Sequence, residues 1–154
     1  MRTFKKLLLI LTVLTLTFAV SLSTFSCKKD LLEGEKQIVC YVANNESADI
    51  FCYILINDAN VDNLKESDYK KYSCTTFATD LKAVFDALRD NTKFTYEASY
   101  SDYGAFVTSI CGFSQDEDNG KYLMFDINGE YSVTGISSTL LTDNTVYSFY
   151  ISSF

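Results

Sequence analysis

Within residues 27–154, only one stretch carries the period of an amphipathic helix, and it sits among segments that alternate like strands. Leu81, Val84, Phe85 and Leu88 fall at i, i+3, i+4 and i+7, which gathers one apolar stripe on a helix over residues 80–90. Thr79 or Asp80 can cap its start, and Asn91 suits the position just past its end. Before the helix, residues 37–43 and 49–56 are rich in Ile, Val, Phe and Tyr and flank the polar turn Asn44-Asn45-Glu46-Ser47, the pattern of a hairpin. Residues 57–71 are charged and aperiodic, a loop with a helical turn near 65–69, and 72–77 reads as a short strand. After the helix, residues 94–100 and 105–113 flank Ser101-Asp102-Tyr103-Gly104. Residues 121–127 run into Asn128-Gly129, a strong two-residue hairpin signal, and 130–134 return from it. Residues 145–152 close the chain behind a turn at Thr142-Asp143-Asn144. Strands, one helix and more strands, without repeats, predict an α+β domain: a mostly antiparallel sheet with a single helix packed across one face.

The first 26 residues follow a different logic. Arg2, Lys5 and Lys6 precede an apolar run over residues 7–20, and Thr24-Phe25-Ser26-Cys27 leads abruptly into Lys28-Lys29-Asp30. A basic start, an apolar centre and small residues before a cysteine describe a secretory signal peptide. The Ser26-Cys27 junction resembles a bacterial lipobox, with Thr24 where that box usually has Leu. This reading makes 1–26 a lipoprotein signal peptide, Cys27 the lipidated mature terminus, 27–36 a short tether and 37–154 the domain. The protein would then be held on the cell membrane, facing outward. Cleavage near Ala19-Val20-Ser21, giving a secreted protein, and an uncleaved anchor are the alternatives. The apolar run is barely long enough for a span, which needs about 20 residues.

Composition narrows the function. Losing Arg2, Lys5 and Lys6 takes the formal net charge from −7 to −10, so a nucleic acid is an unfavourable partner. The sequence has no His, which removes the usual general base and the commonest metal ligand together. No Ser or Cys nucleophile has an evident base, and the expected protein is not an enzyme and needs no cofactor. The loop Ser114-Gln115-Asp116-Glu117-Asp118-Asn119-Gly120 is acidic but fails the EF-hand pattern. It reads as a solvated hairpin loop.

Four cysteines accompany Cys27: Cys40, Cys52, Cys74 and Cys111. They allow three pairings. A hairpin loop centred on Glu46 would place Cys40 and Cys52 at facing positions, where a disulfide is allowed; small buried free thiols are the alternative. Along residues 121–127, period-two alternation assigns Leu123, Phe125 and Ile127 to the core and Tyr122, Met124 and Asp126 to the other face. Tyr122 and Met124, joined by Tyr131 across the Asn128-Gly129 turn, form a candidate ligand platform, since such side chains give adaptable contact area. Tyr103 and Phe106, beside Gly104, are a second candidate group on a loop.

Four segments in one order resemble a known family. Residues 82–88 resemble its "TVLDAL" helix start, and Gly104-Ala105-Phe106-Val107-Thr108-Ser109-Ile110-Cys111-Gly112 its "GxYVTSING" strand. Residues 120–129 resemble its "GKYWMFYVNG" hairpin, and Gly135-Ile136-Ser137-Ser138 through Val146 its "GxSSYxLKDGDVI" ending. This is the DUF4430 family, the transcobalamin C-terminal-like domain. The resemblance covers about 72–152 and implies a β-grasp-like, non-enzymatic binding module on a bacterial surface lipoprotein. It further implies a corrinoid, or another small molecule, as ligand. A surface protein-interaction or adhesion module is the alternative. The chain departs from the family pattern at Leu123 in place of Trp, Asp126 in place of Tyr, Cys111 in place of Asn and Asn144 in place of Gly. Loss of the Trp removes a flat ligand-packing surface. Asn144 tolerates the left-handed conformation that Gly would adopt.

Overall fold

Two antiparallel strands, β1 (Lys36–Ala43) and β2 (Cys52–Ile56), open the domain as the composition predicts. A computed structural model describes residues 30–154, of which Leu31–Phe154 form one unit. The signal segment and Cys27 lie outside the described residues. No helix among the described residues is long and apolar enough to cross a membrane.

After a single 3-10 turn, Glu66–Asp68, strand β3 (Tyr69–Thr76) pairs with β1 over its whole length. It begins three residues earlier than the sequence pattern indicates. Lys70 and Lys71 mask its alternation, and charged side chains suit an edge strand because they discourage pairing with another chain. Helix α1 (Leu81–Asn91) buries Leu81, Val84, Phe85 and Leu88. Asp80 caps it by accepting from the Ala83 N–H at 2.9 Å, as its position promises. The helix ends differently from the expectation. Asn91 is its last residue, its amide donating to the Ala87 carbonyl. The capping position is Thr92, in extended conformation, whose hydroxyl and N–H both bond the Leu88 carbonyl. A residue able to turn left-handed is therefore not needed there.

The second half supplies β4 (Tyr96–Ser101), β5 (Gly104–Ile110), β6 (Phe113–Ser114), β7 (Lys121–Ile127), β8 (Glu130–Tyr131) and β9 (Val146–Ser153). Six strands join in the order β3-β1-β2-β9-β7-β8, every pair antiparallel, while β4-β5-β6 make a smaller sheet. The architecture is α+β, with mostly antiparallel sheets and one helix.

Helix and small sheet together cover the inner face of the large sheet. Phe85 of α1 meets Phe149 of β9 edge-on at 5.4 Å, and Phe113 of β6 stacks flat on Phe51 at 4.6 Å. Phe94, Tyr72 and Phe125 complete an aromatic layer. Such pairs add about 0.5–1.5 kcal/mol each beyond the burial of their area.

Residues 105–113 do not form one continuous strand as expected. The chain reverses at Cys111-Gly112, where φ is 47° and 98°, and Ile110 pairs with Phe113. Positive φ at both central residues defines the hairpin turn that favours Asn-Gly. With Cys in the Asn place, the turn has no local sequence signal.

Gly135 has a separate structural duty. A Cβ there would lie 2.5 Å from the Ala105 carbonyl oxygen. The next residues, Ile136–Ser138, form a 3-10 turn whose Ile136 is buried and whose Ser137 hydroxyl accepts from the Ala105 N–H. The Gly-Ile-Ser-Ser segment therefore clamps the start of β5.

Candidate functional site

Register carries the alternation of β7 across the whole large sheet. Phe125 is buried, and Leu123 and Ile127 pack on the core. Tyr122, Met124 and Asp126 point the other way. On this outer face a single cross-strand row runs Lys71, Tyr41, Tyr53, Ser148, Asp126, Tyr131, one residue from each strand from β3 to β8. In the next rows Met124 lies opposite Tyr150, and Tyr122 opposite Ser152. The predicted trio of Tyr122, Met124 and Tyr131 thus shares one face. Tyr150 and Tyr53 belong to the same surface and went unrecognised in the sequence. Their strands are buried on the inner side, so aromatic residues on both faces blur the period-two pattern that would have marked them.

Coverage divides the face in two. Over β1 and β2, the connection through residues 57–68 and the first residue of β3 close down. The Tyr41 hydroxyl donates to Glu66 at 2.7 Å, the Tyr53 ring lies 5.8 Å from that of Tyr69, and Tyr41 and Leu55 are buried. Over β9, β7 and β8 the face is open, with Tyr131 55% and Tyr122 38% exposed. The Tyr150 hydroxyl donates to Asp126 at 3.0 Å. Burial first, and this acceptor second, push the Tyr150 phenol above its usual range, so it remains a protonated donor at neutral pH. The Tyr122 ring leans toward Phe154 at 6.0 Å. Chemically this surface offers aromatic and thioether contact area with a fixed hydroxyl–carboxylate pair at its centre. It has no nucleophile paired with a base.

Tyr103 and Phe106 are not part of this face. They sit on the small sheet, Tyr103 exposed at the β4–β5 turn and Phe106 half-buried opposite Ser99. No ring contact joins them among the described residues. Tyr100 and Tyr103 stand out to solvent at 72% and 76%.

Cys40 and Cys52 need a correction of register. The hairpin turns one residue later than a centre on Glu46 implies, so Cys40 faces Ile54 and Cys52 faces Val42. The two cysteines are diagonal neighbours on the inner face, their sulfurs 3.8 Å apart, and both are free thiols. Burial foremost, then the neighbouring Cys52, push the Cys40 thiol well above its ordinary value. Cys111 donates to the Tyr72 hydroxyl at 3.8 Å. Among the described residues no group of three or more His, Cys, Asp or Glu is arranged to hold a metal, and the acidic loop at 117–119 is a 3-10 turn.

With this geometry in view, residues 82–153 match the model of a domain of unknown function, DUF4430. Residues 82–153 are a DUF4430 domain. The segment holds most of α1 and all of β4 to β9, so the open half of the tyrosine face belongs to it. No curated protein matches the sequence. Among solved structures, a candidate metal binding protein from Ruminococcus gnavus ATCC 29149 is similar at 17% identity and a TM-score of 0.48. The match covers 58% of this chain and 88% of that one. At that score the likeness decides neither fold nor ligand.

Proposed function

We propose that this protein is a non-enzymatic, lipid-anchored binding domain displayed outside the cell. Lipidated Cys27 fixes it to the membrane, and the open tyrosine face of β9, β7 and β8 receives the ligand. The observation that carries this reading is the convergence of Tyr122, Met124, Tyr150 and Tyr131 on one sheet face, Tyr122 and Tyr131 exposed and Met124 and Tyr150 half-buried. Contiguous exposed apolar and aromatic surface of this kind marks recognition sites. A corrinoid is the ligand class that the DUF4430 resemblance implies, and its broad ring system suits an open face better than a closed pocket. The chain has no histidine to offer cobalt. Binding would rest on ring packing, with amide N–H groups of the ligand donating to the Asp126 carboxylate and to the Tyr150 hydroxyl oxygen, whose own hydrogen is given to Asp126. A β-grasp-like classification belongs to the same proposal; its support is one helix laid on an antiparallel sheet.

Calorimetric titration of the full chain in detergent with cobalamin and cobinamide tests this. Binding at micromolar concentration, weakened at least about tenfold in Tyr122→Ala/Met124→Ala, supports it, as loss of two central contacts costs about 1.4 kcal/mol or more. No heat with either compound from folded protein sinks the corrinoid reading. A second reading, a protein-interaction or adhesion module, draws on Tyr100 and Tyr103, exposed beside the edge strand β4. An open edge can accept a partner's strand. Its test is a cross-linking comparison of wild type with Tyr100→Ala/Tyr103→Ala on intact cells, where loss of the same partner band supports it.

A further inference from the structure

A second recess lies on the opposite side of the large sheet from the tyrosine face. The small sheet covers the inner face only as far as Phe113. Beyond it, the inner-facing positions of β7 and β9 run on past their cover: Ile151, then Lys121 opposite Ser153. The gap is a cleft of about 470 Å³, walled by Glu46 from the β1–β2 loop, by Gly112, Phe113 and Ser114, and by Lys121, Ile151 and Ser153. A lobe of about 240 Å³ adjoins it, sharing Glu46, Gly112 and Phe113. This size falls within the range of small-molecule sites.

The chemistry of the walls is specific. Phe113 stacks on Phe51, with the rings 8° from parallel, and Phe113 and Ile151 are the large apolar side chains of the lining. Glu46 and Lys121 both line the cleft, and neither takes part in an ion pair among the described residues. In a domain this acidic, a lysine left unpaired is a site that a carboxylate can occupy. The Cys111-Gly112 turn keeps the rim open, since a Cβ at Gly112 would meet nothing within 4 Å. Cys111 adopts a left-handed conformation that non-glycine residues hold at a cost of about 1–3 kcal/mol, and it lines the adjoining lobe.

We infer that this cleft binds a small zwitterion with an apolar body, an apolar amino acid or a short apolar peptide. Lys121 receives its carboxylate, Glu46 its ammonium group, and Phe113 with Ile151 its side chains. This site is separate from the tyrosine face, and its ligand does not depend on what that face binds.

The probe is leucyl-leucine, titrated into the full chain in detergent and followed by calorimetry, with N-acetyl-leucyl-leucine and leucyl-leucinamide as singly charged controls. The expected result is binding of the free dipeptide at least about tenfold tighter than of either control, the scale of one charge-assisted hydrogen bond. In Lys121→Gln the preference over the amide disappears while that over the acetylated form remains; in Glu46→Gln the reverse holds. Both side chains are exposed, so neither change threatens the fold. Absence of binding at millimolar dipeptide, or equal affinity for all three compounds, overturns the inference. Either result leaves the corrinoid titration untouched.

Discussion

On the inner face of the large sheet, Ile38, Cys40, Ile54, Tyr147 and Phe149 are sealed under the helix and the small sheet. On the outer face of the same strands, Tyr53, Tyr150, Met124 and Tyr131 alternate with Ser148 and Asp126 and are only partly covered. Both faces are aromatic, so residue type alone does not separate them. Partners do. Inner rings meet other rings at 4.6 to 5.7 Å on several sides, whereas on the open half of the outer face the Tyr150 hydroxyl finds a carboxylate at 3.0 Å. An aromatic residue whose ring is shared with a core contributes stability. One whose ring is free on one side, with its hydroxyl anchored, is available for contact.

That contrast breaks most easily at Phe149. Phe149→Ala removes the ring that touches both Phe85 and Phe125, and urea denaturation should show a loss of about 3–5 kcal/mol. A loss under about 1 kcal/mol would mean that the inner layer is not the stabilising one. Cys111→Asn should act in the opposite direction. Asn accepts the left-handed turn that Cys occupies at φ 47°, and relief of about 1 kcal/mol is expected in the same assay. On the outer face, Tyr131→Ala should change stability by no more than about 0.5 kcal/mol, as for exposed side chains in general.

The smallest effect concerns pH. Burial alone would raise the Asp86 carboxyl. Hydrogen bonds from Lys82 and Tyr96, with the charges of Lys82 and Arg89, outweigh it and hold it below its usual value. Its partner Tyr96 is pushed to about 12, by burial first and by Asp86 second. A depressed carboxyl stabilises the fold above its unfolded value, about 3.9, and that contribution is lost as pH falls through the folded value. The stability difference between wild type and Asp86→Asn should therefore be full at pH 7 and close as pH approaches 2. A difference independent of pH would contradict the ion-pair account.

Much of this was legible in the residues. The helix stripe, the Asp80 cap, the Asn128-Gly129 hairpin and the in-and-out assignment of β7 follow from period and turn chemistry. They depend only on neighbours in sequence. What escaped depends on distant partners. Cys111 turns left-handed without the Asn that announces such a turn, and the hairpin register set the cysteines diagonal rather than opposite. Tyr53 and Tyr150 could be placed on the outer face only once β2, β9 and β7 were known to be adjacent. The cleft of Glu46 and Lys121 joins residues 75 positions apart, and no local pattern predicts that meeting.

The central claim is that the open outer face receives the corrinoid and the core sealed beneath the helix and small sheet does not. Amide chemical-shift mapping of the full chain in detergent, titrated with cobinamide, tests it most directly. The account predicts shifts concentrated at Tyr122, Met124, Asp126, Tyr131 and Tyr150, with Ile38, Phe85 and Ile54 unmoved. Shifts confined to other surfaces, or none at saturating ligand, would contradict it.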